Sequence, residues 1–389
     1  MKRGISGRYQ VSRVGGEEVR AFVPFPLPPD PPVVLDGRRQ TLLEQALLAL
    51  GRLDSLSMLL PDPTLFLYGY IRKEAVLSSQ IEGTQSSLSD LLLYELDEAP
   101  GVPLHDVVEV SNYVSAMEHG LARLRENFPL SNRLIREIHN ELLARGRGSD
   151  KSPGEFRQSQ NWIGGTRPGN AHFVPPPASE VPTCIGALES FLNDNSTPLP
   201  ILVRIALAHV QFETIHPFLD GNGRVGRLLI TLVACERRLL SEPLLYLSLY
   251  FKEHRDEYYR LLDDVRSTGN WEAWLDFFLE GVRYTAAEAV DLAQRLAETF
   301  DADAERVRQS GRVAGSALRV HAALKGRPIA TLAEVTRRTG LSFPAASAGM
   351  QALVNLGVAR ELTGRRRNRV FAYDRYLALL AAGTEARPV

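Results

Sequence analysis

The tightest constraint on this chain lies at 201–239, where two apolar stretches of helical spacing meet at one polar corner. The corner reads His216-Pro217-Phe218-Leu219-Asp220-Gly221-Asn222-Gly223-Arg224-Val225-Gly226-Arg227. Pro217 disfavours helical geometry in the residue before it, so the helix predicted over 201–215 must end at His216, with its imidazole at the mouth of a loop. Asp220 to Gly223 form a Gly-rich turn, and a second helix starts at about Arg224. Such a turn feeding a helix N-terminus can direct its N–H groups at an anion.

The rest of the chain also reads as mainly helical. Residues 1–35 are predicted to be an extended arm, because the run from Pro24 to Pro32 cannot be helical. From Arg38 to Glu126 the spacing is helical, with Leu42, Leu43, Ala46, Leu47 and Leu50 on one face. Pro61 and Pro63 interrupt, a helix from Thr64 runs to Gly83, and Ser87 with Asp90 forms a capping box for the next. Helices are expected near 107–126, 131–145, 180–195, 199–215, 224–239, 252–268 and 271–309. Between them, Asn161 to Gly164 and His172 to Val174 read as two strands around Arg167-Pro168-Gly169-Asn170, a β-hairpin.

The last 75 or so residues differ in character. Helix, turn and helix over 332–356 precede two short strands, 358–362 and 369–373, around Gly364-Arg365-Arg366-Arg367-Asn368, which is the order of a winged helix. From Gly311 to Val389 there are 13 Lys or Arg against 4 Asp or Glu, a surplus of nine positive charges hidden in an overall net charge of −1. The fold class is therefore all-α with a small hairpin, and four segments are expected: 1–35, 36–126, 127–300 and 310–378.

Composition excludes several classes. The longest apolar runs, such as Leu228 to Cys235, fall far short of the roughly 18 residues a membrane span needs, and no secretory signal follows Met1. Two cysteines, Cys184 and Cys235, imply no disulfide framework, which suits a cytoplasmic protein.

The chemistry sits in the corner. His216 can take a proton from a hydroxyl. Asp220 can hold Mg²⁺, which needs only one or two protein carboxylates beside phosphate oxygens. The loop amides, Arg224 and Arg227 can hold phosphates. That set suits attack by a hydroxyl on a polyphosphate.

The corner matches the Fic family motif HPFx[D/E]GNGRxxR at every specified position, and the resemblance extends over about 60–300. It implies a helical core with His216 as general base and Asp220 as the Mg²⁺ ligand. It further implies that Leu219, Asp220, Gly221, Asn222, Gly223, Arg224 and Arg227 line the ATP site. The usual outcome in this family is AMP transfer to Ser, Thr or Tyr of a protein, the chain itself included. The hairpin stands where the family has a flap that pairs with a target segment by β-augmentation, which places Gly164 and Gly165 near the nucleotide. Tyr258 and Tyr259 resemble the family's adenine-side tyrosines. Where many members carry Asn seven residues after that pair, this chain has Arg266.

Ser78-Ser79-Gln80-Ile81-Glu82-Gly83 resembles the inhibitory motif [S/T]xxxE[G/N] of one class of the family. Ser78 and Glu82 share a helix face, and a carboxylate in the last turn is disfavoured by the helix dipole and seeks a cation. The resemblance implies that this cation is Arg227. The winged helix offers Arg337, Arg338, Arg365, Arg366, Arg367 and Arg369 to DNA phosphates, but its second helix, with Ala345, Ala346, Ser347, Ala348, Gly349 and Met350, is poorly equipped to read bases. Docking of a protein or a homodimer is the other use. Two alternatives to AMP transfer stay open: a nucleotide-responsive DNA-binding regulator, and an enzyme of this fold that uses another nucleotide or removes AMP.

Overall fold

Helix formation follows apolar spacing through most of the chain, and the computed structural model describes it over residues 3–14, 16–59, 63–96, 102–194, 196 and 198–384. The chain opens with strands β1 (Gly7–Val14) and β2 (Glu17–Pro24), an antiparallel hairpin. The extended arm expected over 1–35 is thus a hairpin followed by a non-helical Pro-rich passage. Val19 and Ala21 of β2 are buried against Val174, and Phe22 N donates to Val174 O at 2.9 Å. Its branched and aromatic residues have a surface to pair with, which periodicity within the segment alone does not reveal.

Helices α1 (Gly37–Leu59), α2 (Pro63–Ile81), α3 (Leu88–Tyr94), α4 (Leu104–Arg125) and α5 (Asn132–Leu142) form the N-terminal half. Leu43, Ala46, Leu50 and Leu53 are the buried stripe of α1, while Leu47 is exposed. Pro61 lies outside the described residues. The capping box forms as read: Asp90 N donates to Ser87 Oγ, and Ser87 N donates to Asp90 Oδ2 at 3.0 Å.

Next come α6 (Val181–Asn193), α7 (Ile201–Ile215), α8 (Asn222–Glu236), α9 (Ser248–Glu253), α10 (Arg255–Thr268) and α11 (Trp271–Arg308). The single helix expected over 252–268 breaks at His254, whose backbone leaves helical geometry (φ −110°, ψ 38°) and whose ring lies 4.2 Å from that of Tyr250. From Leu202 to Ile215, α7 is buried at every residue, as is most of α8. The two therefore form the centre of the molecule, and the loop between them is held from both ends. Trp274 of α11 is fully buried and donates Nε1–H to Ala206 O of α7 at 2.8 Å.

With 38 residues, α11 is about 57 Å long, and it carries the chain from the core into a C-terminal module. There α12 (Ala314–Gly326), β3 (Ile329–Thr331), α13 (Leu332–Thr339), α14 (Phe343–Asn355), β4 (Arg360–Glu361) and β5 (Val370–Ala372) precede α15 (Asp374–Ala381). The sheet order is β3-β5-β4, all antiparallel. The expected helix, turn, helix and two strands are present as α13, α14, β4 and β5, together with a leading helix, a third strand and a closing helix that the sequence reading omitted. Asp303 of α11 is buried and ties the module to the core. It accepts from Tyr373 Oη at 2.8 Å and Arg306 Nη1 at 2.9 Å, and Arg375 Nη1 lies 3.3 Å away. Replacing Asp303 by Ala removes the acceptor shared by Tyr373, Arg306 and Arg375 and leaves Tyr373 Oη with His321 Nε2, 3.2 Å away, so a loss of about 2 kcal/mol is expected, read from urea denaturation. An unchanged midpoint would contradict that assignment.

Candidate active site

The loop between α7 and α8 is shaped by side chains that grip its backbone. His216 ends α7 in the left-handed region (φ 49°, ψ 60°), a conformation a non-glycine residue adopts only when its surroundings enforce it. Arg157 does so. It is buried and donates Nε–H to His216 O at 2.9 Å, Nη2–H to Pro176 O at 2.5 Å and its backbone N–H to Pro217 O at 2.9 Å. A guanidinium over the last carbonyls of a helix also complements the helix dipole.

The next residues are pinned from beneath. Asn222 bonds both backbone groups of Phe218: Phe218 N donates to Oδ1 at 2.8 Å, and Nδ2 donates to Phe218 O at 2.9 Å. Asn161 Nδ2 reaches the same carbonyl at 2.9 Å. His139 of α5 stacks on the Phe218 ring with centroids 3.7 Å apart. Its Nε2 lies 3.0 Å from Asp220 O, and its Nδ1 accepts from Gly154 N at 2.9 Å. Burial, working against the bond to Asp220, lowers His139 to about 4, so a neutral ring with its proton on Nε2 satisfies both partners. His139, Arg157 and Asn161 were not assigned these roles from the sequence. No motif marks them, because what they supply is a bond to a distant backbone.

Burial, with Arg157 and Arg266 nearby, lowers His216 to about 3, so the ring is held neutral and its basicity is weakened in the site as it stands. Its Nδ1 is buried without a hydrogen-bond partner. Asp220 is half-buried; its Oδ1 accepts from Gly221 N at 2.6 Å and lies 3.4 Å from Arg224 Nη2. Its Oδ2 faces Gly148, where an added Cβ would come within 2.8 Å. No group of three His, Cys, Asp or Glu able to hold a metal occurs among the described residues. A zinc-type cage is therefore not built there, and one half-exposed carboxylate beside an anion-binding helix end fits Mg²⁺ bound together with phosphate.

The two arginines have different surroundings. Arg224 is buried, with Nη1 donating to Glu109 Oε2 at 3.1 Å, and Glu109 is also paired with Arg147 at 3.0 Å. Arg224 thus carries its counter-charge inside the protein and approaches the loop through Asp220. Arg227 donates Nε–H to Ser78 Oγ at 2.9 Å and Nη2–H to Ser78 O at 3.0 Å and Glu82 Oε1 at 2.7 Å. Burial favours a neutral Glu82, and the Arg227 guanidinium overcomes it and holds the carboxyl below its ordinary range. A Cβ at Gly223 would stand 2.3 Å from Glu82 Oε1, so the carboxylate occupies space that only a glycine leaves open. The structure brings Ser78, Glu82, Gly223 and Arg227 together across 149 residues of chain.

Other expected residues separate. Tyr258 is 1% exposed, with its hydroxyl 2.9 Å from His209 Nε2 and its ring stacked on Phe251. It is a core aromatic, the common outcome for aromatics at helical spacing. Tyr259 beside it is 38% exposed. Only one pair of residues, Ile163 and Phe173, forms the expected hairpin ladder, because residues 168–170 make a 3-10 turn between them. Gly164 and Gly165 both have positive φ, and a Cβ at Gly165 would meet Asn170 O at 2.4 Å. Arg266, set apart in the sequence reading, sits over the Phe173 ring at 4.0 Å and donates to Thr214 Oγ1 and Asp263 Oδ1.

Comparison with known proteins follows this geometry. Residues 40–122 match the Fic/DOC family N-terminal model, and residues 129–234 match the Fic/DOC family model. The chain carries both Fic/DOC family domains over these residues. It is 30% identical over 204 residues to a protein adenylyltransferase Fic of Aedes aegypti, which covers 51% of this chain and 38% of that one. It is 31% identical over 176 residues to a probable protein adenylyltransferase of Aquifex aeolicus, covering 45% and 51%. The chain thus spans about a third to a half of the length of these curated relatives. A Fic family protein from Desulfovibrio desulfuricans G20 has the same fold, with TM-score 0.58 and 20% identity over 88% of this chain and 97% of that one. Fic-1 from C. elegans gives TM-score 0.52 and 24% identity over 67% and 74%.

Two buried carboxyls near Arg227 give a pH signature. Burial pushes Glu74 and Glu213 up to about 7 from 4.5. Such a group binds its proton more tightly folded than unfolded. Its stabilising contribution is complete below about 4.5 and is lost as pH rises through about 7, at most about 1.4 kcal/mol per pH unit for each group. Glu74→Gln and Glu213→Gln should each gain stability relative to the parent between pH 5 and pH 8. Urea midpoints across that range measure it, and a pH-independent offset would refute the raised values.

Proposed function

We infer that this chain transfers AMP from ATP to a hydroxyl of a protein. The observation that carries the reading is the geometry of one loop, with His216 at its head and the first-turn amides of the following helix, α8, beside Asp220. The relatives named as protein adenylyltransferases supply the same reaction class.

In this mechanism the acceptor hydroxyl, from Ser, Thr or Tyr of a target or of the chain itself, attacks the α-phosphorus of ATP. His216 takes the hydroxyl proton as the new P–O bond forms. The bond from the α-phosphorus to the bridging oxygen breaks, and diphosphate leaves with the electron pair. The amides of Asn222, Gly223 and Arg224 and the guanidinium of Arg227 hold phosphate oxygens, charge-assisted bonds in a water-poor site. Mg²⁺, held by Asp220 and the phosphates, would neutralise charge on the leaving diphosphate. Leu219, Gly221 and the exposed Tyr259 border the nucleotide, and Gly164 and Gly165 border the target side, where the flap edge offers backbone groups to an extended segment.

Glu82 restrains this activity. Its ion pair takes the Arg227 guanidinium that a terminal phosphate would use, and its carboxylate adds a negative charge where phosphate must bind. The C-terminal module serves as a docking unit: its wing, 364–368, is exposed and arginine-rich, whereas α14 offers mainly small side chains. A partner protein or a second copy of the chain suits that surface better than base-specific DNA contact. A mobility shift that collapses steeply with salt would reverse this preference.

The test uses ATP labelled at the α-phosphate, with Mg²⁺. Glu82→Gly should incorporate more label into protein than the parent. Adding His216→Ala should lower that signal by about 10²–10⁴-fold, the usual worth of a general base. Chelating Mg²⁺ should abolish it. Equal labelling with and without His216 would overturn the mechanism; equal labelling with and without Glu82 would overturn the restraint.

A further inference from the structure

The helix that carries Glu82 is held from behind by the far end of the chain. Gln80, in the last turn of α2, lies two residues after Ser78, which bonds Arg227, and is about 200° from it around the helix axis at 3.6 residues per turn. It therefore faces away from Arg227. Its Nε2 donates to Ser86 O at 2.9 Å and to Thr384 O at 2.8 Å. One amide thus joins the end of α2, the turn that caps α3 and the turn that follows α15. That last turn is also fixed to α9, through Lys252 Nζ donating to Gly383 O at 3.1 Å.

Packing holds the rest of α15 unevenly. Near its middle, Tyr376 and Leu380 press on Gly69 of α2, where an added Cβ would come within 2.7 Å of Leu380 Cδ1. Between α2, α9, α11 and α15 there remains a cavity of about 140 Å³, bordered by Lys73 and Leu77 of α2, Leu249 of α9 and Leu379 of α15. Its rim also carries Glu288, Asp291 and Arg295 of α11, so this side of the α2–α15 seam is lined by charged groups rather than closed by packing. The polar bonds of the 383–384 turn hold α15 at that end.

We propose that Gln80 is a positioning residue for Glu82, through which the seating of the C-terminal module on α2 sets the grip on Arg227. This rests on the reading that Glu82 restrains transfer. The turn after α2 is short: Glu82 N and Thr84 N both donate to Ser79 O, at 3.0 and 3.3 Å. A displacement at Gln80 is therefore passed to Glu82 within one helical turn. Loss of the Gln80 bonds loosens that turn and shifts the equilibrium toward an unpaired Arg227, while the catalytic loop, held by Arg157, Asn161 and His139, is untouched. A partner that draws α15 away from α2 would act in the same direction.

The experiment compares the parent, Gln80→Leu, Glu82→Gly and the double variant, using incorporation of α-labelled ATP and hydrogen exchange of the amides of 82–84. Gln80→Leu keeps the size of the side chain and removes the donor. Transfer should rise about fivefold, the factor one hydrogen bond allows, with faster exchange at 82–84. In the Glu82→Gly background the same substitution should change nothing, because the restraint it acts through is gone. A general loss of fold would instead lower activity in both backgrounds, and that result overturns the proposal. Gly69→Val, which wedges α15 from α2 without touching the polar turn, should reproduce the activation. If Glu82→Gly is activated while Gln80→Leu and Gly69→Val match the parent, the positioning role fails and the restraint stands. If Glu82→Gly itself matches the parent, the restraint fails and this role falls with it.

Discussion

A buried guanidinium must find a counter-charge, and the arrangement around Arg227 follows from that requirement. Taking an arginine out of water costs several kcal/mol unless its charge and donors are met. Arg227 meets them with Ser78 and Glu82, which belong to a helix far away in sequence. The ion pair therefore brings α2 against α8 and places a carboxylate over the start of the anion-binding turn. Glu74 and Glu213, also close enough to feel Arg227, keep their protons more firmly than ordinary carboxyls. One carboxylate suffices for one guanidinium, and burial penalises a second negative charge. Arg227 thus has its counter-charge within the protein, and under the proposed function a phosphate would compete with Glu82 for that cation.

The loop geometry has a different origin. Its shape comes from neutral bonds to backbone atoms: Asn222 and Asn161 on Phe218, Arg157 on His216 and Pro217, His139 on Asp220. None of these bonds uses the His216 imidazole, so the backbone is fixed by atoms other than the ring.

Much of this was legible in the sequence. The helix–corner–helix at 201–239 was readable because Pro217 restricts the residue before it and Gly221 permits the left-handed backbone (φ 78°) of the corner, and the Ser87–Asp90 cap because both partners lie within one turn. The pairing of Glu82 with Arg227 was reached through family resemblance, since no local rule links residues so far apart. Other features were invisible for the same reason. Arg157 and His139 act on distant carbonyls, and their surroundings in sequence resemble those of any surface arginine or core histidine. The N-terminal hairpin is a local feature, β1 paired with β2 around Gly15-Gly16, and that turn signal was passed over in favour of the Pro-rich run that follows; only its packing against Val174 is remote. The burial of Tyr258 was not legible, because helical spacing puts an aromatic on a face but does not say whether that face meets solvent or Trp274.

The side chains that shape the loop lie outside the twelve-residue motif, on α5 and on the irregular stretch before α6. A designer who grafted His216 to Arg227 between two other helices would carry over the reacting groups without their mould. The heritable unit of this site is a dispersed one, loop plus outlying clamps, and drift at His139 or Asn161 could silence the protein while its signature stayed intact.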